Sequence, residues 1–230
     1  MIKYVFLDLD DTILDFHAAE IVAIKDTLKR IFGYADDDLT KRYQVINKEC
    51  WEKLERGEMS RDEVLVRRFD LLFAEYGITA SSEETQALYS ALLGKQHPFM
   101  EGAEMLLEEF QRIGRYQLYI ASNGIHSVQK PRIEDSGIGK YFADIFISEL
   151  IGANKPSPAF FEACFAKIDG FCHKECIIVG DSLTSDIQGG KNAGISTCWF
   201  NPHGLTQNTI LPDYEIKNLS ELIPLLDSIK

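Results

Sequence analysis

Positive charge is scarce in this chain. Twenty-four Lys and Arg stand against 36 Asp and Glu, a formal net charge of −12 over 230 residues. That balance argues against nucleic acid or an anionic membrane as a partner, because both are held by clustered Lys and Arg. It does not argue against a small anion, whose binding depends on a local site. Long apolar runs are missing as well. The first one, Tyr4-Val5-Phe6-Leu7, is cut by Asp8, far short of the roughly 18 residues of a spanning helix. The N-terminus lacks the basic, apolar and small-residue succession of a secretory signal. Cysteine is sparse, odd in number and scattered over positions 50, 164, 172, 176 and 198. That pattern fits free thiols in a reducing cytoplasm rather than a disulfide framework. What remains is ordinary for a globular protein of one or two domains, with 45% hydrophobic and 26% charged residues.

Short β-rich runs recur at Tyr4–Leu9, Gln117–Ala121, Asp144–Ile147, Cys176–Val179 and Thr197–Phe200. Most are continuously apolar, as strands covered on both faces are. Helical patterns separate them around 102–113, 127–136, 158–168 and 186–193. The alternation predicts an α/β fold, a Rossmann-like, doubly wound parallel sheet. One interval breaks it. Between Asp15 and Gly94 the periodicity is helical throughout: Ile21, Ile24, Leu28 and Ile31, then Leu39, Tyr43, Ile46, Cys50 and Leu54, then Val64, Phe69, Leu72 and Tyr76. Gly33, Gly57 and Gly77 close these stripes, Ser60 with Glu63 and Ser81 with Glu84 read as capping boxes, and Asp36-Asp37-Asp38 reads as a solvated turn and N-cap. The expectation is a four-helix cap, residues 16–95, inserted into a core made of 1–15 and 96–230.

Chemistry gathers where strands end. Asp8 and Asp10 sit at i and i+2 and therefore point together from the carboxyl end of the first strand. Asp11 falls on the other face and reads as solvated. An EF-hand is excluded, because Ile13 occupies the position where that loop needs glycine. The second strand ends in Ser122-Asn123-Gly124, whose hydroxyl and free backbone N–H suit an anion. Lys155 lies in the loop before Pro158 opens a helix, and Gly180-Asp181 with Asp186 follows the strand Cys176–Val179. Alone, each motif has a plainer reading: an acidic turn, an N-cap, a surface lysine, a helix cap. Together they place four carboxylates at adjacent strand ends. Two carboxylates 4 Å apart repel by about 4 kcal/mol at an effective dielectric near 20, so the set calls for a cation. All-oxygen ligands suit Mg²⁺ better than zinc. Lysine, hydroxyl and N–H donors beside such a cation describe phosphoryl transfer.

Other signals are weaker. Cys172, His173 and Cys176 lack zinc spacing and a fourth ligand, Gly189-Gly190-Lys191-Asn192 lacks the remainder of a P-loop, and no G-x-S-x-G occurs. Phe16, Tyr43 and Trp51 could stack on a base, although aromatics at helical spacing are usually core. Pro131 interrupts the helix around 127–136 and is expected to shorten it.

In their order, Asp8-x-Asp10-x-Thr12, Ser122, Lys155 and Gly180-Asp181-x4-Asp186 resemble the four motifs of the haloacid dehalogenase (HAD) superfamily, and the insert resembles its C1-type cap. Tyr43-Gln44-x-x-Asn47-x-x-x-Trp51, Gly57-x-Met59-Ser60 and Thr197-Cys198-Trp199-x-Asn201 are similar to the YjjG/YfnB type, which comprises pyrimidine 5′-nucleotidases. Ser122 stands where threonine is commoner, which keeps the hydroxyl. The resemblance implies a Mg²⁺-dependent phosphomonoesterase acting on a small phosphorylated metabolite, a nucleoside monophosphate. It implies Asp8 as nucleophile, Asp10 as general acid and base, and Lys155 as the catalytic cation. Ser122, Asn123 and Thr12 are then the substrate contacts. Asp8, the Asp10 carbonyl and Asp181 are then the metal ligands, with Asp186 orienting Lys155 or a metal-bound water. A sugar-phosphate phosphatase or phosphomutase shares these motifs. A dehalogenase or a binding module without turnover has no need of both Asp10 and Asp181.

Overall fold

The computed structural model describes residues 1–206 and 209–229; positions 207, 208 and 230 of the expected core segment lie outside the described residues. Six parallel strands, β1 (Tyr4–Leu7), β2 (Gln117–Ser122), β3 (Asp144–Ile147), β4 (Cys176–Gly180), β5 (Ser196–Phe200) and β6 (Tyr214–Ile216), form one sheet. Its order is β3-β2-β1-β4-β5-β6. The chain therefore leaves β1 in one direction, returns, and continues from β4 in the other. The crevice beyond the carboxyl ends of β1, β2 and β4 is the reversal point where open α/β sheets bind ligands.

Both sheet faces are covered. Val5 and Leu7 with Leu118, Ile120, Ile177 and Val179 pack on one side against Leu107, Phe110 and Leu222. Tyr4 and Phe6 with Tyr119 and Ile178 pack on the other against Phe160, Phe161 and Phe165. Each fully buried apolar side chain contributes about 1.5–3 kcal/mol. The short edge strand β6 has no counterpart among the expected runs, and β1 stops at Leu7 rather than Leu9. The Leu9 carbonyl accepts from the N–H groups of Ile13 and Leu14, which turns the chain before the ladder can continue.

Four helices follow β1: α1 (Phe16–Phe32), α2 (Asp37–Glu55), α3 (Arg61–Tyr76) and α4 (Ser82–Leu93). They share a core of Ile24, Leu28, Tyr43, Ile46, Phe69, Leu72 and Tyr89, to which Ile125 and Val128 add. Asp36 caps α2 through Leu39 N–H, and Ser60 with Glu63 forms the capping box of α3. The expected box at Ser81 is half made. Ser81 accepts from Glu84 N–H, but its hydroxyl donates to Glu83 instead. Ile21 and Tyr76, expected on the buried stripes, are 37% and 44% exposed. The stripe of α1 runs instead through Ala19, Ala23, Ile24, Thr27 and Leu28. Chain entry and exit lie side by side: Leu14 bridges Phe99 in antiparallel fashion, Asp15 N–H donates to Pro98 O at 2.8 Å, and Met100 N–H donates to Ile13 O at 3.0 Å.

The remaining helices are α5 (Ala103–Ile113), α6 (His126–Ser136), α7 (Ser148–Ile151), α8 (Pro158–Phe165), α9 (Gln188–Asn192) and α10 (Leu222–Ser228). Pro131 does not shorten α6, contrary to expectation. It lies on the side where Gly94 ends α4; a Cβ on Gly94 would come within 3.1 Å of the proline ring. A π-helical turn, Leu183–Ile187, replaces the start of the helix expected from 186. No helix among the described residues is long and apolar enough to cross a membrane.

Gly190 is where α9 crosses β4 and β5. A Cβ there would sit 2.5 Å from Ile178 Cγ2 and 2.6 Å from Thr197 Cγ2, both branched at Cβ and fixed in strands. Gly190→Ala should lower the free energy of unfolding by about 1–3 kcal/mol, measured by denaturant titration.

Candidate active site

The strand ends deliver the carboxylates to one place. Asp8 follows β1 directly, and its N–H still bonds to Val179 O at 2.9 Å, which continues the ladder by one residue. Carboxylate oxygens of Asp8, Asp181 and Asp186 lie within 4.8 Å of one another. Gly180 permits the approach of Asp186, since a Cβ there would overlap its carboxylate. Ser182 N–H donates to Asp186 Oδ2 at 3.1 Å, and Trp199 Nε1 donates to the Asp181 carbonyl at 2.8 Å.

Lys155 reaches in among these carboxylates, 1% exposed. Its Nζ donates to Asp8 Oδ1 at 2.6 Å, to Asp186 Oδ1 at 2.6 Å and to the Ala121 carbonyl at 2.5 Å. All three ammonium protons have acceptors. Burial works against the charge on Lys155, but Asp186 and Asp8 outweigh it and raise its pKa. The Asn123 side chain fixes the lysine backbone, accepting from Lys155 N–H at 2.8 Å and donating to Lys155 O at 2.9 Å. Burial, then the neighbouring carboxylates, pushes the Asp181 carboxyl well above its ordinary value; Asp8 is pushed the same way by burial, against the pull of Lys155. Three carboxylates and one ammonium leave a charge of 1 − 3 = −2. That residue of charge and the all-oxygen donor set fit one Mg²⁺.

Asp10 is held from α6. Arg132 Nη1 pairs with Asp10 Oδ1, and Gln129 Nε2 donates to Oδ2 at 2.5 Å. Arg132 is fully buried and also donates through Nε to the Gln96 carbonyl at 2.9 Å. Sequence reasoning missed this clamp and the Asn123 staple. The buried face of α6, Val128, Gln129, Arg132 and Ile133, is half polar, so no apolar spacing reveals it. Asp11 adopts φ +54° and accepts from His17 N–H at 3.1 Å, so it stands on the cleft wall rather than free in solvent.

The cleft has a volume of about 580 Å³, within the usual range for small-molecule sites. Asp8, Asp10, Asn123, Lys155, Asp181 and Asp186 line it. Ser122 and Thr12 do not; both lie buried behind it. Ser122 Oγ accepts from Gly124 N–H and Gln129 Nε2 at 3.0 Å each, and Thr12 Oγ1 has no partner among the described residues. Helices α1–α4 form the far wall, tied across by Thr184 Oγ1 to Glu55 Oε2 at 2.6 Å and by Arg61 Nη2 to Ser148 Oγ at 2.5 Å. Among the described residues no cysteine lines this cleft, and burial pushes the thiols of Cys164 and Cys198 up to about 12.

A family model described as haloacid dehalogenase-like hydrolase matches residues 2–194. The chain belongs to the haloacid dehalogenase-like hydrolases. Within that family it is 41% identical to the pyrimidine 5′-nucleotidase PynA of Streptococcus pneumoniae over 228 residues, 98% of this chain and 95% of PynA. It is 39% identical to the HAD-hydrolase YfnB of Bacillus subtilis over 227 residues, with the same coverage. The crystal structure of YfnB, bound to magnesium, superposes with a TM-score of 0.93 over 98% of this chain and 99% of that one. The pyrimidine 5′-nucleotidase YjjG of Escherichia coli is 29% identical over 97% of each chain. This HAD hydrolase is thus similar along its full length to two enzymes named pyrimidine 5′-nucleotidases and to one named as a HAD hydrolase.

The carboxylate cluster makes a stability prediction. Asp181 ordinarily titrates near 3.8 and is raised in the fold. Its contribution to stability is therefore complete below that pH and is lost as pH rises through the raised value. In chelator, Asp181→Asn should be more stable than the wild type at pH 7, with the difference closing towards pH 4. Calorimetry at both pH values checks this; a gain independent of pH contradicts it.

Proposed function

We propose that this HAD hydrolase is a Mg²⁺-dependent phosphomonoesterase working through an aspartyl-phosphate on Asp8, with pyrimidine nucleoside 5′-monophosphates as substrates. The observation that carries the reading is the Lys155 ammonium, 2.6 Å from both Asp8 and Asp186 and beside Asp181. It is a buried cation next to a strand-end carboxylate, in a cleft sized for a small molecule. The names of PynA and YjjG support the nucleotide, and magnesium in the YfnB crystal structure supports the metal.

Lys155 binds one Asp8 oxygen and leaves the other to attack phosphorus. The new bond is from Asp8 oxygen to phosphorus, and the bond that breaks joins phosphorus to the ester oxygen. Asp10, arriving protonated, gives its proton to that leaving oxygen. As a carboxylate, held in place by Arg132 and Gln129, it then takes a proton from water. The water oxygen attacks phosphorus, the acyl phosphate opens, and Asp8 is restored with release of inorganic phosphate. Of the expected phosphoryl contacts, Asn123 lines the cleft, while Ser122, which accepts two N–H bonds and keeps its own proton, and the unpartnered Thr12 hydroxyl lie buried behind it. Asp8, the Asp10 carbonyl and Asp181 would hold Mg²⁺, whose charge offsets that of the phosphoryl group; Asp186 orients Lys155. The helices of residues 16–95 act as a cap that excludes water and reads the leaving group. The free thiols are in keeping with a cytoplasmic enzyme.

A dehalogenase needs neither Asp10 nor Asp181, and both line this cleft. Phosphate release from UMP, dUMP and TMP should exceed that from glucose phosphates, vanish in EDTA and return with Mg²⁺. Asp8→Asn should reduce turnover to below a few per cent with the fold intact. Full activity in EDTA, or a higher kcat/KM for a phosphosugar, would remove respectively the metal and the nucleotide from this reading.

A further inference from the structure

Opposite the catalytic carboxylates, the helical wall of the cleft carries a second polar cluster that the chemistry at Asp8 does not use. Glu20 of α1 is 3% exposed, and its two oxygens take separate donors. Gln44 Nε2 reaches Oε2 at 3.1 Å, and Asn47 Nδ2 reaches Oε1 at 2.6 Å. Behind Asn47, Arg68 Nη1 donates to Asn47 Oδ1 at 2.6 Å while Nη2 donates to Gln86 Oε1 at 2.6 Å. This arrangement removes a freedom that asparagine usually has. A guanidinium offers only donors and a carboxylate only acceptors, so the Asn47 amide has one orientation, Oδ1 to Arg68 and Nδ2 to Glu20. Burial raises the Glu20 carboxyl, and the Gln44 and Asn47 donors oppose that rise.

Each amide nitrogen carries two N–H groups and gives one to Glu20. Gln44 and Asn47 therefore each keep one N–H, and Glu20 keeps lone pairs, at the cleft wall. The order is donor, acceptor, donor. Glu20, Gln44, Asn47 and Arg68 line the same cleft as Asp8 and Asp181. Tyr89 lines it too, with a buried hydroxyl that has no partner among the described residues. Phe16 and Trp51, both half-buried, supply flat apolar wall beside them.

We propose that Glu20, Gln44 and Asn47 form a base-reading edge that selects uracil and thymine over cytosine. The inference rests on the nucleotidase reading above and adds to it the residues that choose the base. The imide edge of uracil or thymine presents O2, N3–H and O4: acceptor, donor, acceptor, the complement of the protein's set. Cytosine presents O2, a bare N3 and an amino group. Its N3 lone pair then faces the Glu20 carboxylate, and its amino N–H faces an amide N–H. Sites that hydrogen-bond a ligand group reject analogues that leave buried polar atoms unpaired far more strongly than apolar pockets reject a methyl. The 5-methyl group of thymine lies off this edge and is not read by it. Arg68 does not touch the base; it is a positioning residue that keeps Asn47 from flipping.

The test is kcat/KM for UMP, CMP and 4-nitrophenyl phosphate in the wild type, Glu20→Gln and Gln44→Ala, with a melting temperature for each. In both variants the ratio of UMP to 4-nitrophenyl phosphate should fall by about 10- to 100-fold. Glu20→Gln, whose new amide can donate to cytosine N3, should lower the ratio of UMP to CMP further than Gln44→Ala does. Gln44 is half-buried, so its variant keeps the test decisive if Glu20→Gln does not fold. Equal losses on UMP and 4-nitrophenyl phosphate, or an unchanged ratio of UMP to CMP, overturn the base edge and leave the nucleotidase reading standing. A wild type that prefers glucose 6-phosphate to UMP removes the nucleotidase reading, and the base edge with it.

Discussion

Removing an ammonium ion from water costs several kcal/mol unless every proton finds an acceptor and the charge finds a partner. Lys155 meets both conditions at one point, between Asp8, Asp186 and the Ala121 carbonyl. The acceptors come from the ends of β1 and β2 and from the turn after β4, so three segments distant in sequence converge to satisfy one side chain. Gly180 leaves room for Asp186, Asn123 pins the lysine backbone, and the sheet order brings the strand ends into register. Loss of the lysine would leave buried carboxylates facing one another without a cation. Loss of Asp186 would leave the ammonium with one carboxylate and a carbonyl. The architecture and the charge balance are thus one constraint seen from two sides.

The same balance separates what the site does from what keeps it folded. Burial raises Asp8 and Asp181, which makes their charged forms costly, a cost that Lys155 offsets only in part. On the proposed reading the site takes a divalent cation and a phosphoryl dianion in succession and is strained when it holds neither, an exchange of stability for function. Mass action returns the difference once the cation binds.

How much of this was legible depended on where each residue lies. Asp8, Asp10, Asp181 and Asp186 were readable because strand ends in a parallel sheet share one edge, and the apolar runs marked the strands. Lys155 became readable only beside them. Arg132 and Gln129 were not, because polar residues on a helix look solvent-facing until another element is packed over them. The chain from Glu20 through Asn47 to Arg68 crosses three helices, so no local spacing reveals it. Asn47 was singled out from the sequence, but its partners came only with the packing of α1, α2 and α3. The strand β6 spans three residues, too few for a pattern, and the π-helical turn at Leu183–Ile187 is set by the Ser182 and Asp186 bonds rather than by helical periodicity.

The chain crosses into and out of α1–α4 through a single hydrogen-bonded neck, Ile13 to Asp15 running against Pro98 to Met100. Seen from the sheet, everything between those two crossings is one loop whose ends are already joined. Closing such a loop costs the sheet about 2–3 kcal/mol more than closing a hairpin, because the entropy of closure grows only with the logarithm of loop length. The sheet can therefore reach its register without waiting for the helices, and the helices can gather their own apolar core without waiting for the sheet. It follows that the neck is a splice point. A segment of another length and shape, tied off by the same antiparallel bridge at Leu14 and Phe99, would face the same carboxylates and present them with a different molecule.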